Sequence, residues 1–175
     1  LTPSASTAGV LMGGIISDTL NLKSPTSTSK DEEMLVWLEG IAGVSASELS
    51  ELIFSSGSLI VNTTPDKVVS TDCKIYDEGE FKYSISQIEE LGFENFYEHT
   101  DSIAAALEAN RCSNGLDLSG LLVTDIRSQD SLFIVTGNRD VIDAISFQST
   151  ERDDIFEMPT IVSRKKQLMP YLKKL

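Results

Sequence analysis

The chain has 175 residues, a formal net charge of −13 and a sequence pI near 4.4, with 41% hydrophobic and 23% charged residues. That balance suits one sizeable globular domain, or a domain with an appendage. So acidic a chain lacks the broad basic surface that general nucleic-acid binding needs, and no apolar run reaches the ~18 residues of a membrane span.

One histidine, His99, excludes most His-based metal motifs within this chain. The two cysteines, Cys73 and Cys112, cannot make a multi-bridge framework, which points to a reducing compartment, the cytoplasm. The N-terminus has no basic region that would introduce a signal peptide.

Residues 1–7 form a Ser/Thr-rich lead-in. "ASTAGVLMGGIISDTLN" then predicts a helix, apolar nearly all round, that expects burial on more than one side. "LKSPTSTSKDEE" is a loop that ends in a helix start. Ser29 is its expected N-cap, and Asp31, Glu32 and Glu33 fill the first turn, where the helix dipole favours acids. This second helix runs to Gly43, and "SASELSELIFSSG" predicts a third, capped by Ser45 or Ser47 and stopped at Gly57. "KIYDE" and "FKYSISQIE" alternate apolar and polar residues about a "DEGE" turn, which predicts a hairpin. A helix follows over "TDSIAAALEANRC", capped by Thr100 or Asp101. "GLLVTDIR" and "SLFIVTG" read as buried neighbouring strands, "NRDVIDAISF" as a helix and "TIVS" as a last short strand. "KKQLMPYLKKL" predicts a closing helix that Pro170 either kinks or opens. The alternation from residue 72 onward predicts an α/β fold: a mixed sheet of about five strands with helices packed on it, preceded by a helical N-terminal segment. A boundary is expected near residues 23–30.

The charge is unevenly spread. From Met158 to Leu175 there is no acidic residue, and five of the 14 Lys and Arg fall there: Arg164, Lys165, Lys166, Lys173 and Lys174. The last two sit where a helix C-terminus favours cations. The other three follow a buried-looking strand, repel one another and face the positive end of a helix. Each such placement costs roughly 0.3–1 kcal/mol. An anion bound there reverses the sign of every term; a solvated basic loop is the plain alternative. Asp18 ends an apolar helix, where an acid faces the negative pole. It is either a helix-ending residue bonded to Thr19 or Ser24, or a ligand to a hard metal ion. Lys74 heads a strand between Asp72 and Asp77, where surface ion pairing is the simpler reading. His99 reads as an ordinary helix-start or surface residue, and Gln87 and Asp125 stand near strand ends where either could line a cleft.

"SDTLNLKSPT" and "SRKKQ" together resemble the family II, manganese-dependent inorganic pyrophosphatases of the Asp-His-His phosphoesterase superfamily, supported by "TDCKIYDE" and "VTDIRSQDSLFIVTG". The resemblance covers nearly the whole chain. It implies that residues 1–25 are the end of a catalytic domain and residues 26–175 a complete substrate-binding domain. It also implies that Asp18 is a metal ligand and that Lys74, Arg164 and Lys165 bind substrate. The parent reaction is then hydrolysis of pyrophosphate to two phosphates with Mn²⁺, or Mg²⁺ or Co²⁺, as cofactor. An exopolyphosphatase of the same superfamily and a non-catalytic binding or dimerisation module are the alternatives.

The sequence departs from the family in having no Asp-His-His motif and no further histidine ligands. No catalytic residue is therefore assigned within this chain. It is expected to bind no metal tightly, to be inactive alone, and to partner a missing N-terminal domain. The apolar segment 8–20 is expected to drive self-association.

Overall fold

The computed structural model describes residues 2–55, 57–79 and 81–174. Two compact units divide the chain, residues 1–57 and 58–175.

The first unit is helical: α1 (Ala5–Thr19), α2 (Ser29–Ala42) and α3 (Ala46–Ser55). Helix α1 follows the N-cap Ser4, whose hydroxyl accepts from the Thr7 amide. It ends in a left-handed turn, with Leu20 at φ 49°. Helix α2 starts one residue earlier than its acids suggest. Thr28 is the cap, and its side chain and that of Asp31 satisfy each other's backbone amides as a capping box. Gly43 closes α2 at φ 72°, as its sequence position predicts. Ser45 is the cap residue of α3, its hydroxyl accepting from the Glu48 amide at 3.1 Å. Although α1 is apolar nearly all round, it buries one stripe. Ala8, Met12 and Ile16 pack with Leu35, Leu38 and Ala46, while Val10 and Leu11 stay exposed. The loop at residues 20–28, where the sequence suggests a boundary, links α1 to α2 inside this unit.

The second unit carries the expected five-stranded mixed sheet, in the order β1 (Lys74–Asp77), β2 (Lys82–Glu90), β3 (Leu118–Asp125), β4 (Ser131–Gly137) and β5 (Ile155–Met158). Only the β2–β3 pair is parallel. Between these two strands runs α6 (Glu94–Ser113), preceded in the chain by the short α4 (Leu59–Asn62) and α5 (Pro65–Ser70). The two apolar clusters follow from strand alternation. Ile88, Leu121, Val123, Leu132 and Ile134 pack with α4–α6, and Tyr83, Ile85, Leu122, Phe133 and Val135 with the C-terminal elements. Those elements are α7 (Arg139–Asp143), a π-helical turn (Arg164–Leu168) and α8 (Met169–Leu172). No helix among the described residues is long and apolar enough to cross a membrane.

Four expectations are corrected. Helices α4 and α5 lie where no element is predicted; their signals were Ser58 and Thr64 as caps, with Pro65 at the first helical position. Helix α6 begins at Glu94, not near Thr100. Phe96, Thr100, Ile103 and Leu107 continue one buried stripe, and the Thr100 hydroxyl donates to the Phe96 carbonyl instead of capping. The last strand is "IFEM", not "TIVS". Pro159 cannot extend it, and Thr160 turns the chain at φ 62°, so residues 160–163 form a loop. Finally, the predicted closing helix opens as the π turn, with Leu168 N–H donating to the Ser163 carbonyl and Met169 N–H to that of Arg164. Pro170 stands just after it in α8 and lacks the amide that would donate to a carbonyl four residues back. The "DEGE" turn includes Glu80, which lies outside the described residues.

Candidate functional site

The "SRKKQ" string is built as a rigid turn. Ser163 caps it, accepting from the Lys166 amide at 3.2 Å. Gln167 folds back: its Oε1 accepts from the amides of Val162 and Ser163, both at 3.0 Å, and its Nε2 donates to the Thr160 carbonyl at 2.7 Å. The loop before the turn is held from the sheet side. Ser131 donates to the Ile161 carbonyl while sharing a hydrogen bond with Thr124, and Asp130 accepts from the Thr160 amide.

Arg164 is buried, its side chain only 4% exposed. One terminal guanidinium nitrogen donates to the carbonyls of Asp72 and Ile85, the latter at 3.0 Å, and the other donates to Asp72 Oδ1 at 3.0 Å. Its Nε is buried and has no hydrogen-bond partner, a costly state for a cationic donor. Asp72 holds a left-handed backbone at φ 40°, a conformation that short polar side chains tolerate best.

These contacts bring Lys74 and Arg164 to one corner. Lys74 lies two residues after Asp72 and is paired in register with Ile85, so both groups that receive the guanidinium flank the start of β1. Asp72 therefore pairs with Arg164 and not with Lys74, which forms no ion pair among the described residues. Lys74 and Lys165 are exposed, while Lys173 is paired with Glu78 at 2.7 Å. Two carboxylates and an amide complete the setting. Gln87 on β2 accepts from the Arg164 amide at 2.9 Å and donates to the Val162 carbonyl at 3.0 Å. Glu89 lies two residues on, along the same strand. Desolvation raises its carboxyl pKa above the usual range and the Asp72 carboxylate adds to this, with Arg164 opposing.

The other candidates lie on other elements. Asp18 is exposed on α1, in the helical unit. Thr19 and Ser24, its expected partners, bond to the Ile15 carbonyl and to Thr26 instead. His99 lies inside α6 and its Nδ1 is 2.9 Å from the Asn95 carbonyl, an ordinary helical contact. Asp125 is buried and accepts from three backbone amides. Burial pulls its pKa up, but the amides of Arg127, Gly92 and Ser128 outweigh that and hold it below the ordinary range. In the sequence Gln87 is only a polar residue near a strand end; its link to residue 164, 77 positions away, has no local signal.

The second unit is thus a mixed five-stranded α/β domain that carries a buttressed basic turn. The chain belongs to the DHHA2 domain family, which matches residues 51–175. It is 32% identical over 173 residues to a Clostridium acetobutylicum protein named "Probable manganese-dependent inorganic pyrophosphatase", covering 98% of this chain and 56% of that one. It is 33% identical over 168 residues to the manganese-dependent inorganic pyrophosphatase of Methanocaldococcus jannaschii, covering 95% and 54%. Among solved structures, that of a "Methanococcus jannaschii putative family II inorganic pyrophosphatase" superposes with a TM-score of 0.82 at 31% identity, covering 99% of this chain and 57% of that one. The chain thus spans about half the length of the curated relatives it matches.

Manganese does not fit the residues present as a complete site. No group of three His, Cys, Asp or Glu among the described residues could hold a metal ion. Asp18 offers a single carboxylate, whereas a hard divalent cation takes about six oxygen or nitrogen ligands.

Proposed function

We propose that this chain is the substrate-holding part of a manganese-dependent inorganic pyrophosphatase that hydrolyses pyrophosphate to two phosphates. The observation that carries the reading is the fixed turn that bears Arg164 and Lys165, with the Arg164 guanidinium bonded to Asp72 and Ile85 beside Lys74 on β1. Lys165 and Lys74 present compact charges to solvent, and Arg164 adds a fixed positive charge from behind. Such a preorganised set neutralises pyrophosphate oxygens and the charge that grows on the leaving phosphate. The names of the relatives support pyrophosphate over other anions.

Asp18 would contribute one ligand to the metal centre, the remaining ligands coming from a catalytic domain of which residues 1–25 would be the end. The reading accordingly has the isolated chain bind pyrophosphate weakly and release phosphate, with added Mn²⁺, at no more than background rate. A cytoplasmic setting goes with it, supported by two free cysteines. Exposed Val10, Leu11, Val36 and Trp37 support cover of the helical unit by that further domain, and self-association without it.

Titration of pyrophosphate into the chain, followed by amide chemical shifts, tests the reading. Shifts are expected at residues 163–167 and at Lys74, and Lys165→Gln should weaken them. Perturbation confined to other residues, or turnover at roughly 1–10³ per second by this chain alone, overturns it.

A further inference from the structure

We infer that Gln87 is a positioning residue for this anion clamp, a claim that rests on the reading just given. The cations depart from a loop, and a loop that could splay would let three adjacent positive charges move apart. What prevents this is a pair of glutamine amides. Gln167 takes the amides of Val162 and Ser163. Gln87 reaches across from β2 to the carbonyl of Val162 and the amide of Arg164, one on each side of Ser163.

Both ends of the Gln87 amide are therefore used, with opposite polarity. A carboxylate could keep the Arg164 amide but would set an oxygen against the Val162 carbonyl. The same strand also receives the Arg164 guanidinium, at Ile85 two residues earlier. Main chain and side chain of Arg164 are thus both fixed to β2, and the π turn starts from that fixed point. Preorganised charges bind an anion without an ordering cost at the moment of binding. With both amide ends so engaged, Gln87 acts through the turn, setting the direction in which Lys165 and Arg164 leave the chain.

The test compares pyrophosphate affinity in the wild-type chain, Gln87→Met and Ile103→Val. Gln87→Met removes both hydrogen bonds at nearly constant volume and without changing charge. Ile103→Val perturbs the other face of the sheet and controls for lost stability. Gln87→Met is expected to bind about tenfold more weakly, the size of one or two lost hydrogen bonds. Its Arg164 amide should lose protection from hydrogen exchange while the Val162 and Ser163 amides keep theirs. Ile103→Val should bind as the wild type does. If Gln87→Met does not fold, Gln87→Glu replaces it; it keeps an acceptor for Arg164, loses the donor to Val162, and is expected to bind more weakly too. Wild-type affinity in either folded Gln87 variant, or equal weakening in Ile103→Val, overturns the inference. A wild-type chain whose shifts lie away from residues 163–167 overturns the proposed function itself, so the two failures are distinguishable.

Discussion

Replacing Asp72 with Asn should both weaken the fold and sharpen its response to pyrophosphate. Asn tolerates the left-handed backbone at residue 72 and keeps an oxygen in place, so the change isolates the charge. A fully buried ion pair loses about 3–5 kcal/mol when one partner is removed, whereas an exposed pair is worth at most about 1 kcal/mol. Here the Arg164 side chain is 4% exposed and that of Asp72 56%, and the two carbonyl acceptors of Arg164 remain. An intermediate loss of about 1–2 kcal/mol follows. With a urea dependence of about 2 kcal/mol per molar, the unfolding midpoint should fall by roughly 0.5–1 M. Pyrophosphate then supplies the charge that Asp72 no longer does. If its affinity rises about tenfold, saturating anion should restore about 1.4 kcal/mol of the deficit through binding linkage. Urea melts of both chains with and without pyrophosphate give the four values needed. A variant as stable as wild type would show that the pair contributes nothing. A deficit that pyrophosphate leaves unchanged would show that the anion does not compete for Arg164.

Period-two alternation makes the hairpin legible, and the two central strands show as short continuous apolar runs because they are buried on both faces. Thr28, Ser58 and Thr64 illustrate what was harder to read. Each has other Ser or Thr close by in the chain, and the choice of cap depends on where the following backbone can turn. Near the C-terminus "TIVS" has the better β composition, so local sequence points to the wrong strand. "IFEM" wins by pairing with β4, a contact no local window contains.

The site divides in the same way. Arg164 and Lys165 stand out in the sequence as charges without evident compensation, Lys74 reads there as an ion-pair partner of Asp72 or Asp77, and only the resemblance to the pyrophosphatases implies a substrate role for all three. The sequence left open what would hold them. Asp72, Ile85, Gln87 and Gln167 act on the turn through hydrogen bonds, three of these residues from more than 70 positions away. A polar residue near a strand end carries no mark of such a role until the sheet and the C-terminal turn are brought together.

Gly120→Ala should cost about 1–3 kcal/mol, because its Cβ would stand 2.6 Å from the ring of the fully buried Phe133; an unchanged melting temperature would refute this packing. Glu108 is held down to about 2, chiefly by hydrogen bonds from Arg111, with burial opposing and Thr136 and Cys112 assisting. A depressed carboxylate stabilises above its unfolded pKa and loses that contribution as pH falls through the folded value. Glu108→Gln should therefore flatten the acid limb of stability between about pH 4.5 and 2, and an identical limb would remove Glu108 from the account. The last expectation concerns truncation. Removal of residues 1–22 takes away Ala8, Met12 and Ile16, and with them the cover of Leu35, Leu38 and Ala46. Each large aliphatic side chain returned to water costs roughly 1.5–3 kcal/mol, more than two short helices can make good. Helices α2 and α3 should then unfold or drive association. Removal of residues 1–57 leaves both apolar clusters of the sheet intact, since every member lies beyond residue 58. The shorter chain, 58–175, should therefore be the better behaved of the two, folded and more monomeric by sedimentation than 23–175. If 23–175 is a monomer with α2 and α3 still helical, α1 is not what stabilises them; if 58–175 unfolds, the sheet unit does not stand on its own core.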